Sequence, residues 1–161
     1  MTKSKWTYEQ FSAVNKEKAF TSIDYVHAIS KFAKLPDDFY LCMARLFCPS
    51  FFKMEDVIFI LETFRKSEYD EYINIGYSVE KAQPWINKIE ITSIFDGIEV
   101  DAARQISDLI VDIWNRKLEV EFGKASRLAR VVVDLELEEV FVTIGNFERC
   151  AVKPCRGKSD F

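Results

Sequence analysis

The sequence predicts an α+β fold, a single domain in which helices pack on a mixed or antiparallel sheet that closes with a C-terminal hairpin. Three observations carry this expectation. Apolar residues recur at helical spacing early in the chain and again between residues 101 and 122, whereas β-branched runs, continuous or alternating, lie between and after them. The resulting order is two helices, strand, helix, strand, long helix, hairpin, which lacks the strict strand–helix alternation of a parallel α/β sheet. At 161 residues the chain can bury roughly 70% of its unfolded surface in one core. Five glycines and four prolines leave little linker material. Residues 1–148 are therefore expected to form the domain, and 149–161, with Lys153, Pro154, Arg156, Gly157 and Lys158, a loose basic tail.

Each element has a local reason. Thr21 can cap the first turn of a helix running to Ala33, and Asp24 can answer it from three residues on. Tyr25, Ile29 and Phe32 then form a face expected to pack inward. Pro36 sits at a first helical position, followed by Asp37 and Asp38 near the positive end of the dipole. Phe39, Cys42, Met43, Leu46 and Phe47 make that helix's apolar stripe, which places Cys42 in the core, and Pro49 ends it. The run from Val57 to Leu61 is apolar at every position and reads as a central strand covered on both faces.

Ser67 to Gly76 reads as a helix closed by the glycine, and Ser78 to Gln83 as a helical turn ended by Pro84. Ile89 and Ile91 alternate with Lys88, Glu90 and Thr92 as in a half-buried strand, and Asp96-Gly97 marks a turn. From Asp101 to Gly123 comes the clearest helix, with Ile106, Leu109, Ile110, Ile113, Trp114, Leu118 and Phe122 as a broad stripe. Arg104 with Asp108, and Asp112 with Arg116, stand four apart on its charged side. Val131, Val133 and Leu135, then Val140, Val142 and Ile144, give the two strands of the hairpin.

Several function classes lack their signatures. The glycines at 76, 97, 123, 145 and 157 are too widely spaced for a phosphate-cradling or dinucleotide loop, and there is no G-x-S-x-G elbow. A net charge of −4 opposes nucleic-acid binding, where a basic face is expected. The longest apolar run is five residues, against about 20 needed to cross a bilayer. The N-terminus has no apolar signal segment, so a cytoplasmic location with reduced Cys42, Cys48, Cys150 and Cys155 is expected. Those cysteines do not stand at zinc-ligand spacing, and His27, the sole histidine, adjoins an apolar stripe. No metal, cofactor or catalytic residue is expected, and the protein is read as not an enzyme.

What the pattern does offer is acid. Asp134, Glu136, Glu138 and Glu139 crowd the hairpin, with Asp108 and Asp112 on the long helix. They are read either as a solvated face that keeps an edge strand from pairing, or as a docking surface for a basic protein. Trp6, Tyr8, Phe11, Phe51, Phe52, Tyr69, Tyr72, Tyr77 and Trp85 are further candidate contacts, though most of so many aromatics must be core.

The segments Pro84-Trp85-Ile86-Asn87-Lys88-Ile89-Glu90-Ile91-Thr92-Ser93-Ile94-Phe95 and Ile110-Val111-Asp112-Ile113-Trp114-Asn115-Arg116-Lys117-Leu118 resemble stretches of small bacterial proteins, toxin-immunity proteins among them. The resemblance transfers no functional residue. It implies a small acidic cytosolic protein that binds a cognate toxin domain and blocks it by occlusion. The alternatives are an adaptor or homodimeric structural protein, and a small-ligand-binding protein or enzyme with an apolar pocket.

Overall fold

Thr21 opens a helix as its spacing to Asp24 requires. In the computed structural model, which describes residues 7–14, 18, 20–126 and 128–146, Thr21 Oγ1 accepts from the Asp24 amide and the Asp24 carboxylate accepts from the Thr21 amide. Both halves of a capping box are closed. Trp6 and the tail from Arg149, with Cys150 and Cys155, lie outside the described residues. The class is α+β.

The chain divides into two compact units, Met1–Met43 and Ala44–Phe161. In the first, α1 (Tyr8–Val14) meets α2 (Ser22–Ala33) edge-on, Tyr8 and Phe11 standing 5.7 and 5.5 Å from the Tyr25 ring. The inward face expected of α2 is not formed, since none of its residues is buried. A seven-residue α1 cannot span the face of a twelve-residue helix. α3 (Asp37–Phe47) follows Pro36, and Leu46 is its one buried residue. Cys42 is exposed, contrary to the core position its spacing suggested. It is the last turn of α3 that is anchored, Trp114 Nε1 donating to the Leu46 carbonyl at 3.2 Å.

The second unit begins with a hairpin of which only one strand is legible in the sequence. β1 (Phe51–Met54) pairs antiparallel with β2 (Val57–Ile60), in a register running from Phe51 opposite Ile60 to Met54 opposite Val57. The two-residue turn is Glu55-Asp56, both at positive φ, +50° and +63°, as the tight hairpin turn requires. All four β2 residues are buried, as expected, but β2 is not a central strand. Its outer edge is closed by side-chain amides. Asn87 Nδ2 donates to the Ile58 carbonyl and Asn87 Oδ1 accepts from the Ile60 amide, while Gln83 Nε2 also donates to Ile58.

Those amides come from Gln83 of α5 (Val79–Ile86) and from Asn87, which caps its C-terminus; α5 follows α4 (Lys66–Asn74). Tyr69 and Tyr72 of α4 are buried in a cluster with Val57, Phe59, Ala82 and Ile86. They serve as core instead of as exposed contacts. Pro84 does not end α5 but lies inside it; its missing amide would have bonded to the carbonyl of Glu80, an exposed residue that water can reach.

The expected strand after Lys88 shortens to β3 (Ile89–Glu90) before α6 (Ile91–Ile94) begins. Ile91 and Ile94 stand three apart, a spacing that serves a helical turn as well as an alternating strand. Gly97, at φ +69°, makes the predicted turn into α7 (Val100–Phe122). A 3₁₀ turn, Lys124–Ser126, leads to β4 (Ala129–Asp134) and β5 (Glu139–Ile144). The sheet order is β3-β5-β4, antiparallel throughout. β5 is the central strand and is buried from Val140 to Ile144.

α7 packs on β4 and β5 through Ala103, Ser107, Ile110, Trp114 and Leu118, and Thr143 Oγ1 donates to the Pro84 carbonyl of α5. Leu109 and Ile113, expected in the buried stripe, are exposed. They lie roughly 100–140° round the helix from the centre of the buried arc, too far to reach the sheet. Arg104 and Asp108, like Asp112 and Arg116, do not close into ion pairs; the i,i+4 pair that does form on α7 is Lys117 with Glu121, at 3.7 Å. Among the described residues no helix is long and apolar enough to cross a membrane.

Glu62, just after β2, ties this unit's first loop. Its carboxylate oxygens each accept from the Ser50 amide at 3.0 Å, and Oε1 accepts from Arg45 Nη1 at 3.0 Å. Burial alone raises the Glu62 pKa, but the hydrogen bonds from Ser50 and Arg45 outweigh it and hold the carboxyl below its ordinary value of 4.5. Because the folded value lies below the unfolded one, the stabilisation is complete above the ordinary value and is lost as pH falls through the folded value. Glu62→Gln is therefore expected to flatten the fall in stability below about pH 4.5, besides lowering stability at neutral pH. Urea unfolding across pH 3–7 measures it; an acid limb as steep as the parent's contradicts the assignment.

Candidate protein-binding surface

The β4–β5 hairpin is built by its own first carboxylate. Asp134 Oδ1 accepts from the amides of Glu136 and Leu137 at 3.1 and 3.3 Å, folding residues 135–138 into a turn that returns the chain at Glu139. The six acidic residues singled out by sequence thus separate. Asp134 is occupied in the turn. Glu139 lies 3.8 Å from Lys88 Nζ, which also stands 3.9 Å from Glu90 and 4.2 Å from the centre of the Phe141 ring. Glu136 and Glu138 are exposed at the tip and take part in no ion pair among the described residues.

Between and beside them the turn presents Leu135 and Leu137, 77% and 52% exposed. Beneath the turn an open groove of about 610 Å³ is lined by Thr92, Gly97, Ile98, Glu99, Val100, Asp101, Leu135 and Glu138. Three of those eight residues, Glu99, Asp101 and Glu138, carry carboxylates. Glu99 and Asp101 were not among the sequence candidates. Their signal is present only in three dimensions, because antiparallel packing of β4 on α7 carries the hairpin tip to the helix's first turn. Acid at that end also complements the α7 dipole.

Asp108 and Asp112 are exposed on α7 and do not line the groove. Asn115 shows which side of the helix they occupy. Asn115 Oδ1 accepts from the Ala129 amide and Asn115 Nδ2 donates to the Ala129 carbonyl, at 3.0 and 3.1 Å, so this face of α7 runs beside the outer edge of β4. Asp112 and Asp108 precede Asn115 by three and seven residues and share its face. The one sequence hint at Asn115 is an asparagine in the middle of a helix, a position it disfavours.

Elsewhere, His27 is exposed on α2, and Cys42 and Cys48 are exposed thiols. Among the described residues no three His, Cys, Asp or Glu side chains converge as metal ligands. Compared with protein-family models, with curated proteins and with solved structures, the chain matches none.

Proposed function

We propose that this protein is a non-catalytic binding module of the bacterial cytoplasm, an immunity protein that neutralises a cognate basic toxin domain by covering it. The observation that supports this reading is the hairpin tip, where Leu135 and Leu137 are exposed beside Glu136 and Glu138, carboxylates that form no ion pair among the described residues. Exposed leucines beside unpaired charge supply both halves of a docking surface. Burying each leucine contributes roughly 1.5–3 kcal/mol, and the carboxylates steer a basic partner and set register. The acidic groove under the tip extends the same charge toward Glu99 and Asp101.

Affinity capture from lysate of the source cells, followed by the double charge reversal Glu136→Lys/Glu138→Lys on whatever basic domain is recovered, tests the proposal. Neither side chain has an ion-pair partner among the described residues, so the variant's melting curve is expected to match the parent's. Affinity is expected to fall by on the order of ten-fold or more, with a smaller difference at high salt. A captured domain whose toxicity the protein does not block rejects the immunity reading, and an unchanged affinity rejects this surface.

A further inference from the structure

Strand edges expose a ladder of unpaired backbone groups, and neither β2 nor β3 offers a long one. Asn87 covers the outer edge of β2, spanning the Ile58 carbonyl and Ile60 amide as a neighbouring strand would. β3 is two residues long. β4 is different. Its residues facing β5 are Leu128, which accepts from the Gly145 amide, and every second residue after it, so the backbone groups of Ala129, Val131 and Val133 point outward. Asn115 closes the edge at Ala129. No other described residue bonds to the amides or carbonyls of Val131 and Val133.

Beside those four groups runs the α7 face fixed by Asn115. It carries Asp112 and Asp108 with Arg104, and the edge ends at the groove holding Glu99, Asp101 and Glu138. We propose that the outer edge of β4 takes up an extended, lysine- or arginine-bearing segment of a partner protein as a fourth strand of the sheet. The inference deepens the acidic-binding reading above and rests on it. Backbone pairing with Val131 and Val133 supplies the docking, and the acidic flank selects the side chains. The same flank disfavours a second copy of this chain, because pairing β4 with its twin would bring two acidic rows together.

The full-length chain is titrated with a capped hexapeptide alternating valine and lysine, and with its counterpart carrying glutamate for lysine, while amide exchange is followed by NMR. With the lysine peptide, exchange at Val131 and Val133 is expected to slow on the order of ten-fold or more, with Arg130 and Val132, which face β5, unchanged. The glutamate peptide is expected to bind at least ten-fold more weakly. Val133→Pro removes an outward amide without removing a ladder bond and is expected to abolish binding; should it not fold, Asp108→Lys/Asp112→Lys is expected to weaken binding ten-fold or more. Three results overturn the proposal: no binding of the lysine peptide, binding that protects neither valine, or protection of both valines by the protein alone at high concentration, which identifies a second copy as the occupant. A toxin domain that depends on Glu136 and Glu138 yet leaves both valines unprotected overturns strand addition alone. Protection of the valines by a partner indifferent to Glu136 and Glu138 overturns the hairpin tip as the docking surface and leaves strand addition standing.

Discussion

Replacing Asn87 with alanine is expected to lower the free energy of unfolding by about 3 kcal/mol, among the larger effects available to a single substitution in this chain. Asn87 is fully buried, and its amide is the neighbour that β2 otherwise lacks, accepting from the Ile60 amide at 2.9 Å and donating to the Ile58 carbonyl at 3.0 Å. Alanine removes both bonds and leaves the Ile60 amide buried without a partner; a buried orphan donor costs about 1–3 kcal/mol. The Ile58 carbonyl keeps its bond from Gln83 at 2.9 Å, which limits the loss on that side. Asn87→Asp is expected to be worse, since a carboxylate still accepts from Ile60 but faces the Ile58 carbonyl oxygen with another acceptor. Urea unfolding read by circular dichroism measures both variants. A loss below about 1 kcal/mol for the alanine variant, or an aspartate variant as stable as the parent, removes Asn87 from its role as the edge of β2.

That role also shows where the sequence stopped being informative. Elements whose ends carry their own chemistry were legible: the Thr21–Asp24 capping box, the turn at Gly97 and the end of α7 at Gly123, where φ is +91°. β1 was not, because its hairpin turns at Glu55-Asp56, without the glycine or asparagine that marks such a turn in sequence. Apolar content alone then made β2 look central. The burial along β2 was real, but it comes from α4 and α5 and from an asparagine 27 residues beyond Ile60, a long-range pairing that local patterning does not encode.

The candidate site shows the same division. The acidic character of the hairpin was plain in composition, but which carboxylates remain available was decided by hydrogen bonds. Asp134 is drawn into the turn and Glu139 toward Lys88, while Glu99 and Asp101 enter the groove from the far end of α7. Leu135, read as the last inward residue of β4, is instead among the most exposed leucines, because Asp134 ends the strand one residue earlier.

Trp114→Ala is expected to cost about 4 kcal/mol, a loss in the upper range for a core aromatic. Trp114 is fully buried between the sheet side of α7 and β1, with its ring 6.2 Å from that of Phe51, edge-on, and its indole N–H satisfied by the Leu46 carbonyl. Two terms separate on substitution. Trp114→Phe keeps most of the apolar area and gives up only the bond to Leu46, so about 1–2 kcal/mol is expected; the alanine variant adds the cavity. Chemical unfolding resolves the two, and equal losses would mean that the indole hydrogen bond, not packing, dominates. The next residue, Asn115, holds the start of β4. The phenylalanine variant leaves that amide in place and is expected to bind the lysine peptide with unchanged affinity despite its lower stability. Asn115→Ala opens one more outward-facing residue on β4 and is expected to alter peptide binding more than it alters the melting point. Stability of this unit and the availability of its open edge are thus set by adjacent residues of one helix, and the two variants measure them apart.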